Sequence, residues 1–218
     1  MIKAVLFDLD GTLADSLADL AAAANYAIGR FGFPAREVEC YKLFAGDGMA
    51  KMIERALPSG SNDAQTVSEI MPVFLAYYGE HYCDCTRAYS GMTDVITELK
   101  KRGVLISVVT NKNEEMAQMV VEKLYGELFD FIIGKREGIP AKPDPTAALI
   151  AMDKLNVKPE DCVFVGDSKM DVKTGVNCGA YPVGVLWGFR GEDELIAGGA
   201  EKIIFEPKEL LAIIDSLQ

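Results

Sequence analysis

The sequence predicts an α/β fold: a parallel sheet core interrupted by one all-helical insertion. Three observations predict it. From residue 86 onward, short apolar runs alternate with stretches of helical periodicity. A first apolar run of the same kind, residues 2–7, stands apart near the start of the chain. Between the two, residues 15–85 carry helical spacing and no strand signal. Strands that alternate with helices are joined by crossovers, which place helices on both faces of a parallel sheet. The expected organisation is a Rossmann-like core from residues 1–14 and 86–218, with residues 15–85 as a helical cap.

Within the insertion, Ser16 reads as an N-cap, and Leu17, Leu20, Ala21, Ala24 and Ile28 recur at helical spacing until Gly29 and Gly32. Pro34 is expected to open a second helix running to about Phe44. Gly46-Asp47-Gly48 breaks the chain before a third helix marked by Met49, Met52, Ile53, Ala56 and Leu57. Pro58–Asn62 reads as a loop, and a fourth helix runs to about Tyr82 with Pro72 as a kink or boundary. In the core, strands are expected at 104–109, 131–133, 162–165, 181–186 and 202–205. Helices are expected at 93–102, 113–125, 144–155, 169–178 and 192–197 and from 207.

Composition excludes several function classes. With 22 Lys and Arg against 33 Asp and Glu, the net charge of −11 leaves no basic stripe for nucleic acid. No apolar run reaches the roughly 20 residues of a membrane span. The first residues lack the pattern of a signal peptide, which points to the cytoplasm. Five scattered cysteines do not form a disulfide framework. Cys83-Asp84-Cys85 has no second pair to complete a zinc site, and the single histidine, His81, reads as a surface or packing residue.

The most informative segment is Val5-Leu6-Phe7-Asp8-Leu9-Asp10-Gly11-Thr12. Side chains two apart on a strand share a face, so Asp8 and Asp10 leave the strand end together. Paired, partly desolvated carboxylates repel, and a divalent cation relieves the repulsion. The pair therefore asks for Mg²⁺ and an anionic substrate, with one carboxylate as nucleophile and one as proton donor. Three other strand ends carry polar residues: Thr110-Asn111-Lys112, Lys142 in Ala141-Lys142-Pro143, and Gly166-Asp167-Ser168 with Asp171 beyond. In open α/β sheets such ends converge on one crevice. Each motif also has an ordinary reading as a turn, a helix cap or a solvated charge. Lys112, at a helix start, is expected to be exposed, and Arg190 to be a solvated charge. Trp187 and Phe189 read as core aromatics.

Asp8-x-Asp10-Gly11-Thr12, then Thr110, then Lys142, then Gly166-Asp167-x-x-x-Asp171 match in order the four motifs of the haloacid dehalogenase-like hydrolase superfamily, which the chain resembles. The resemblance implies a nucleophile (Asp8), a proton donor and acceptor (Asp10), phosphate binding by the Thr110 hydroxyl and Asn111 N–H, and charge neutralisation by Lys142. It implies Mg²⁺ held by Asp8, the Asp10 backbone carbonyl and Asp167, with Asp171 completing the shell through water or orienting Lys142. The Asp at position 10, which dehalogenases of this superfamily lack, implies phosphate ester chemistry. The 31 residues between Thr110 and Lys142 leave no room for a second cap.

Further segments look like phosphoglycolate phosphatases: Asp8–Ser16, Ala45–Met49 and Val185–Gly191. Gly46 and Gly48 precede a helix, so their backbone N–H groups either meet a substrate carboxylate or hydroxyl or form a plain helix–helix turn. Lys42, Lys51 and Arg55 are cap cations placed to assist, and Asp47 has to point outward or bind a hydroxyl. The expected function is a Mg²⁺-dependent phosphomonoesterase of phosphoglycolate phosphatase type. It acts on a small phosphorylated metabolite through an aspartyl-phosphate, as a monomer or weak homodimer. The alternatives are a β-phosphoglucomutase-like enzyme, an inorganic pyrophosphatase, or a non-catalytic metabolite-binding protein on the same scaffold.

Overall fold

The structure, a computed structural model, describes residues 1–217. The chain begins with β1 (Ala4–Phe7) and β2 (Ala14–Asp15). It then enters four helices: α1 (Leu17–Arg30), α2 (Tyr41–Phe44), α3 (Met49–Ala56) and α4 (Ala64–His81). It returns through β3 (Arg87–Ala88) and alternates from there. The order is α5 (Met92–Lys101), β4 (Leu105–Asn113), α6 (Glu114–Tyr125), β5 (Phe131–Lys135), α7 (Thr146–Leu155), β6 (Cys162–Gly166) and α8 (Lys169–Cys178). The last elements are β7 (Tyr181–Val185), α9 (Glu192–Gly198), β8 (Lys202–Ile204) and α10 (Glu209–Ser216).

Six strands form one sheet in the order β5-β4-β1-β6-β7-β8, every pairing parallel. β1 is central and buried on both faces. Val5 and Phe7 join the layer with Ile96, Val120 and Leu210, whereas Ala4 and Leu6 join the opposite layer with Ala148 and Met152. This is why its apolar run is continuous rather than alternating. The chain builds outward from β1 to β4 and β5, then returns to start β6 on the other side. The order reverses at β1 and β6, and the crevice beyond their carboxyl ends is where such sheets bind ligands.

The four inserted helices enclose a separate core built around Ala24, Ile28, Tyr41, Ile53, Phe74 and Tyr78. Three features differ from the sequence reading. The helix expected from Pro34 is replaced by extended chain, a short 3₁₀ turn at Val38–Cys40 and the single turn of α2. The Asn25 side chain bonds both the N–H and the carbonyl of Arg36 at 2.8 Å, which holds that backbone out of a helix. The fourth helix continues through Pro72 without ending.

The third difference is at the junction with the core, where β2 and β3 pair as an antiparallel ribbon. Strands of two residues carry no periodicity, so only the tertiary structure shows them. Buried Asp19, in the first turn of α1, staples the two crossings together. Its carboxylate accepts from the N–H groups of Cys85 and Thr86 and from the Thr86 hydroxyl, at 2.7–3.0 Å. No helix among the described residues is long and apolar enough to cross a membrane.

Removing the Asp19 carboxylate leaves the buried N–H and hydroxyl of Thr86, and the N–H of Cys85, without this partner. Asp19→Ala is expected to lower stability by about 2–4 kcal/mol, read as a drop in the urea midpoint. An unchanged midpoint would show that the two crossings hold without this staple.

Candidate active site

Asp8 directly follows β1, and Asp167 directly follows β6. The parallel pairing of Phe7 with Val165 places the two strand ends side by side. Asp171 sits in the first turn of α8, one turn beyond Asp167. Oxygens of Asp8, Asp167 and Asp171 lie within 4.8 Å of one another, all buried, the only such cluster among the described residues. Lys142 closes it: its ammonium donates to Asp8 Oδ1 at 2.6 Å, Asp171 Oδ1 at 2.5 Å and the Val109 carbonyl at 3.1 Å. Burial and the neighbouring Asp171 raise the Asp8 pKa to about 7, although Lys142 pulls against the shift. Burial, Asp171 and Asp8 push Asp167 well above the usual carboxylate range. Burial alone would depress Lys142, but the two aspartates outweigh it and hold the ammonium raised.

Asp171 has no idle oxygen. Oδ1 is on Lys142, and Oδ2 accepts from the Ser168 N–H at 2.9 Å and hydroxyl at 2.6 Å in a capping box. Its geometry suits orienting Lys142. Asp8 Oδ2 faces no lysine, and Asp167 Oδ2 accepts the Phe189 N–H at 2.7 Å. Hard, closely spaced carboxylate oxygens of this kind fit a divalent cation such as Mg²⁺, which takes oxygen ligands and keeps several waters.

The Asp10 carboxylate turns away from that cluster. It accepts from Lys112 Nζ at 3.0 Å on both oxygens and from the Ser16 hydroxyl at 2.6 Å. Two expectations are corrected here. Ser16 stands at the N-cap position of α1, but its hydroxyl is spent on Asp10 and not on the helix. Lys112 is not an exposed helix-start residue; it is buried and belongs to β4. That strand runs on to Asn113, with a register irregularity against β5 between Val109 and Asn113. An irregularity of this kind re-aims side chains, and Thr110, Asn111 and Lys112 in this stretch are all buried. The polar Thr-Asn-Lys run hides this stretch from apolar periodicity. Gly134 on β5 was the available signal: a Cβ there would sit 2.6 Å from the Lys112 carbonyl oxygen, and a glycine inside a strand marks such an approach.

Asn111 ties three parts together. Its Oδ1 accepts the Lys142 N–H at 2.7 Å, and its Nδ2 donates to the Gly46 carbonyl of the cap loop at 3.0 Å. Gly46 and Gly48 both have positive φ, and both line a cavity of about 30 Å³ with Asp8, Asp10, Thr110 and Lys112. The three cap cations stay outside it. Lys42 pairs with Glu39 and Lys51 with Glu54 on the surface, and Arg55 pairs with Asp47, which points outward. Arg190 instead reaches across from the core: its guanidinium donates to the carbonyls of Lys42, Leu43 and Ala45 at the end of α2, fastening the cap over the site. Trp187 packs against the sheet layer and donates its Nε1–H to the Thr12 carbonyl, while Phe189 packs on the cap core. His81 stacks on Tyr77 and pairs with Asp84 at the surface.

The profile of the haloacid dehalogenase-like hydrolases matches residues 5–185, which include every element just described. The chain belongs to this family. A phosphoglycolate phosphatase of Pseudomonas putida is 32% identical over 96% of this chain and 78% of its own length. An N-acetylmuramic acid 6-phosphate phosphatase of Pseudomonas aeruginosa is 30% identical over 98% and 95%. Among solved structures, a Lactobacillus delbrueckii protein to which phosphoglycolate phosphatase activity is ascribed superimposes with a TM-score of 0.92, at 32% identity over 97% and 98%. The hydrolase is accordingly a phosphatase.

Two glycines set how closely the walls of this phosphatase approach its carboxylates. Gly11, at φ +88°, turns the chain after Asp10, and a Cβ there would meet Asp167 Oδ2 at 2.3 Å. Gly188 lies against both: its Cβ would be 2.3 Å from the Gly11 carbonyl oxygen and from Asp167 Cβ. Gly188→Ala therefore has to displace Asp167. A shift of this kind is expected to cut kcat/KM by about 10²-fold with the fold retained by circular dichroism. Unchanged turnover would show that the Asp167 position does not matter.

Proposed function

We propose that this phosphatase is a Mg²⁺-dependent phosphomonoesterase of phosphoglycolate phosphatase type, working through an aspartyl-phosphate on Asp8. The observation that carries the reading is the division of the two strand-end carboxylates. Asp8 is anchored on one oxygen by buried Lys142, and Asp10 is anchored beside it by a different lysine, both lining one cavity. Two carboxylates with separate partners take separate roles.

Asp8 Oδ2 attacks phosphorus in line, and the bond to the ester oxygen breaks. Asp10 delivers a proton to that oxygen, so the alcohol leaves neutral. Asp10 then takes a proton from water, whose oxygen attacks phosphorus and frees Asp8 and inorganic phosphate. The Thr110 hydroxyl and the Asn111 N–H bind phosphoryl oxygens, and Lys142 opposes the protonation of Asp8 and neutralises the phosphoryl group. The Gly46 and Gly48 backbone faces the part of the substrate beyond the ester oxygen. Asp8, Asp167 and the Asp10 carbonyl would hold Mg²⁺, with Asp171 placed behind Lys142; the cation supplies charge neutralisation for the phosphoryl oxygens. The small cavity favours a substrate of a few carbons and requires the cap to open for entry. The five free thiols suit a reducing, cytoplasmic compartment.

Asp8→Asn is expected to abolish phosphate release from every ester in a panel of phosphoglycolate, sugar phosphates and nucleotides. Retention of most of the activity would sink the covalent route. EDTA is expected to stop release, and Mg²⁺ to restore it.

The cation also links stability to pH. The Asp8 pKa, raised to about 7 from an ordinary 3.8, means the folded chain holds a proton the unfolded chain has lost. Metal-free stability thus falls as pH rises between those values. A cation that binds the ionised form offsets the loss, so Mg²⁺ should raise the melting temperature more at pH 8 than at pH 6. Equal shifts at the two pH values would remove Asp8 from the cation site.

A further inference from the structure

Among the described residues, Lys112 is the only cationic side chain lining the cavity that holds Asp8 and Asp10; Arg55, Lys169 and Arg190 line a separate cleft beyond Gly46. Phosphoryl transfer as derived above does not call for it there. Lys142 already serves Asp8 and Asp171. Burying a second ammonium carries a desolvation cost that a surface lysine avoids. Its head is held 3.0 Å from both Asp10 oxygens and 4.7 Å from the centroid of the Tyr78 ring on α4. Tyr78 itself has a buried hydroxyl with no hydrogen-bond partner. The cap side of the cavity offers backbone and apolar side chains, chiefly Leu20, Met49 and Met52. Lys42, Lys51 and Arg55 of the cap are paired with Glu39, Glu54 and Asp47. Within this cavity, a negative group on the leaving side of a substrate therefore has one side-chain cation to meet.

We propose that Lys112 is the residue that determines specificity, receiving a carboxylate borne on the ester carbon of the substrate. The proposal rests on the phosphomonoesterase reading for the position of the ester oxygen, which has to lie within hydrogen-bond reach of Asp10. Lys112 is one hydrogen bond beyond Asp10. A carboxylate on the carbon next to that oxygen falls beside the ammonium, which exchanges its two contacts with Asp10 for contacts with the ligand. The exchange leaves Asp10 facing the ester oxygen. A neutral alcohol of the same size offers Lys112 nothing in return. Lys112 is thereby the group that separates the carboxylate-bearing ester of the reading above from an uncharged alcohol of equal length.

The test uses two non-hydrolysable probes that differ in one carboxylate, 3-phosphonopropionate and propylphosphonate, in which a methylene stands for the ester oxygen, titrated calorimetrically into the Mg²⁺-loaded wild type. A charge-assisted contact of this kind predicts that 3-phosphonopropionate binds about 30- to 100-fold more tightly. The preference is expected to shrink to about threefold or less in Lys112→Met and to survive in part in Lys112→Arg. Equal affinity of the two probes for the wild type would overturn the proposal, as would an undiminished preference in a folded Lys112→Met. Should Lys112→Met not fold, Lys112→Gln and the wild-type pair carry the same decision. Hydrolysis of 4-nitrophenyl phosphate by the wild type reports on the phosphatase reading separately. Its absence beside a strong 3-phosphonopropionate preference would defeat that reading and leave only the contact between Lys112 and a ligand carboxylate.

Discussion

The Lys142 ammonium, held between Asp8 and Asp171, is the interaction on which the site depends. It joins the end of β1 to the first turn of α8, across the point where the strand order reverses. Removing either charge would strand its partner in a dry interior at a cost of several kcal/mol. The parallel sheet makes the arrangement possible, because β1 and β6 run together and release their acids at the same edge. The sheet in turn accepts the crowding of acids because the lysine takes up two carboxylate oxygens and the Ser168 cap and the Phe189 N–H one each.

A second layer of polar contacts couples the cap to that centre. Asp19 binds the two crossings together near the core, and Asn111 and Arg190 fasten the far side by donating to cap backbone carbonyls. The cap is thus attached through carbonyl groups rather than through a broad apolar interface, and its own core remains separate from those of the sheet. Contacts of this type release and re-form without exposing large apolar area. They suit a lid that has to admit a substrate to a cavity of about 30 Å³.

Much of this was legible in the amino-acid order. The alternation of apolar runs after residue 86 marked the strands, and β1 announced itself by an unbroken apolar stretch because both its faces are covered. Asp8 and Asp167 directly follow strands and Asp171 opens a helix, so local pattern marked them, whereas Thr110 inside β4 and Lys142 in a loop stood out only through the order of the motifs. The chain after Pro34 was not legible, because a side chain eleven residues earlier, Asn25, takes the backbone of Arg36. Neither were Lys112 and Arg190, which local rules place in solvent.

Periodicity, spacing and residue type sufficed for the α/β class, the helical insertion and the acids of the crevice, since these depend on neighbours along the chain. Side-chain direction did not follow from them. β4 loses its register with β5 between Val109 and Asn113, and Lys112 in that stretch lies inward on Asp10. Arg190 finds its partners in a helix some 147 residues away in sequence. Such contacts are chosen by which surfaces meet when the sheet and cap pack, and a buried charge takes whichever opposite partner that packing brings within reach.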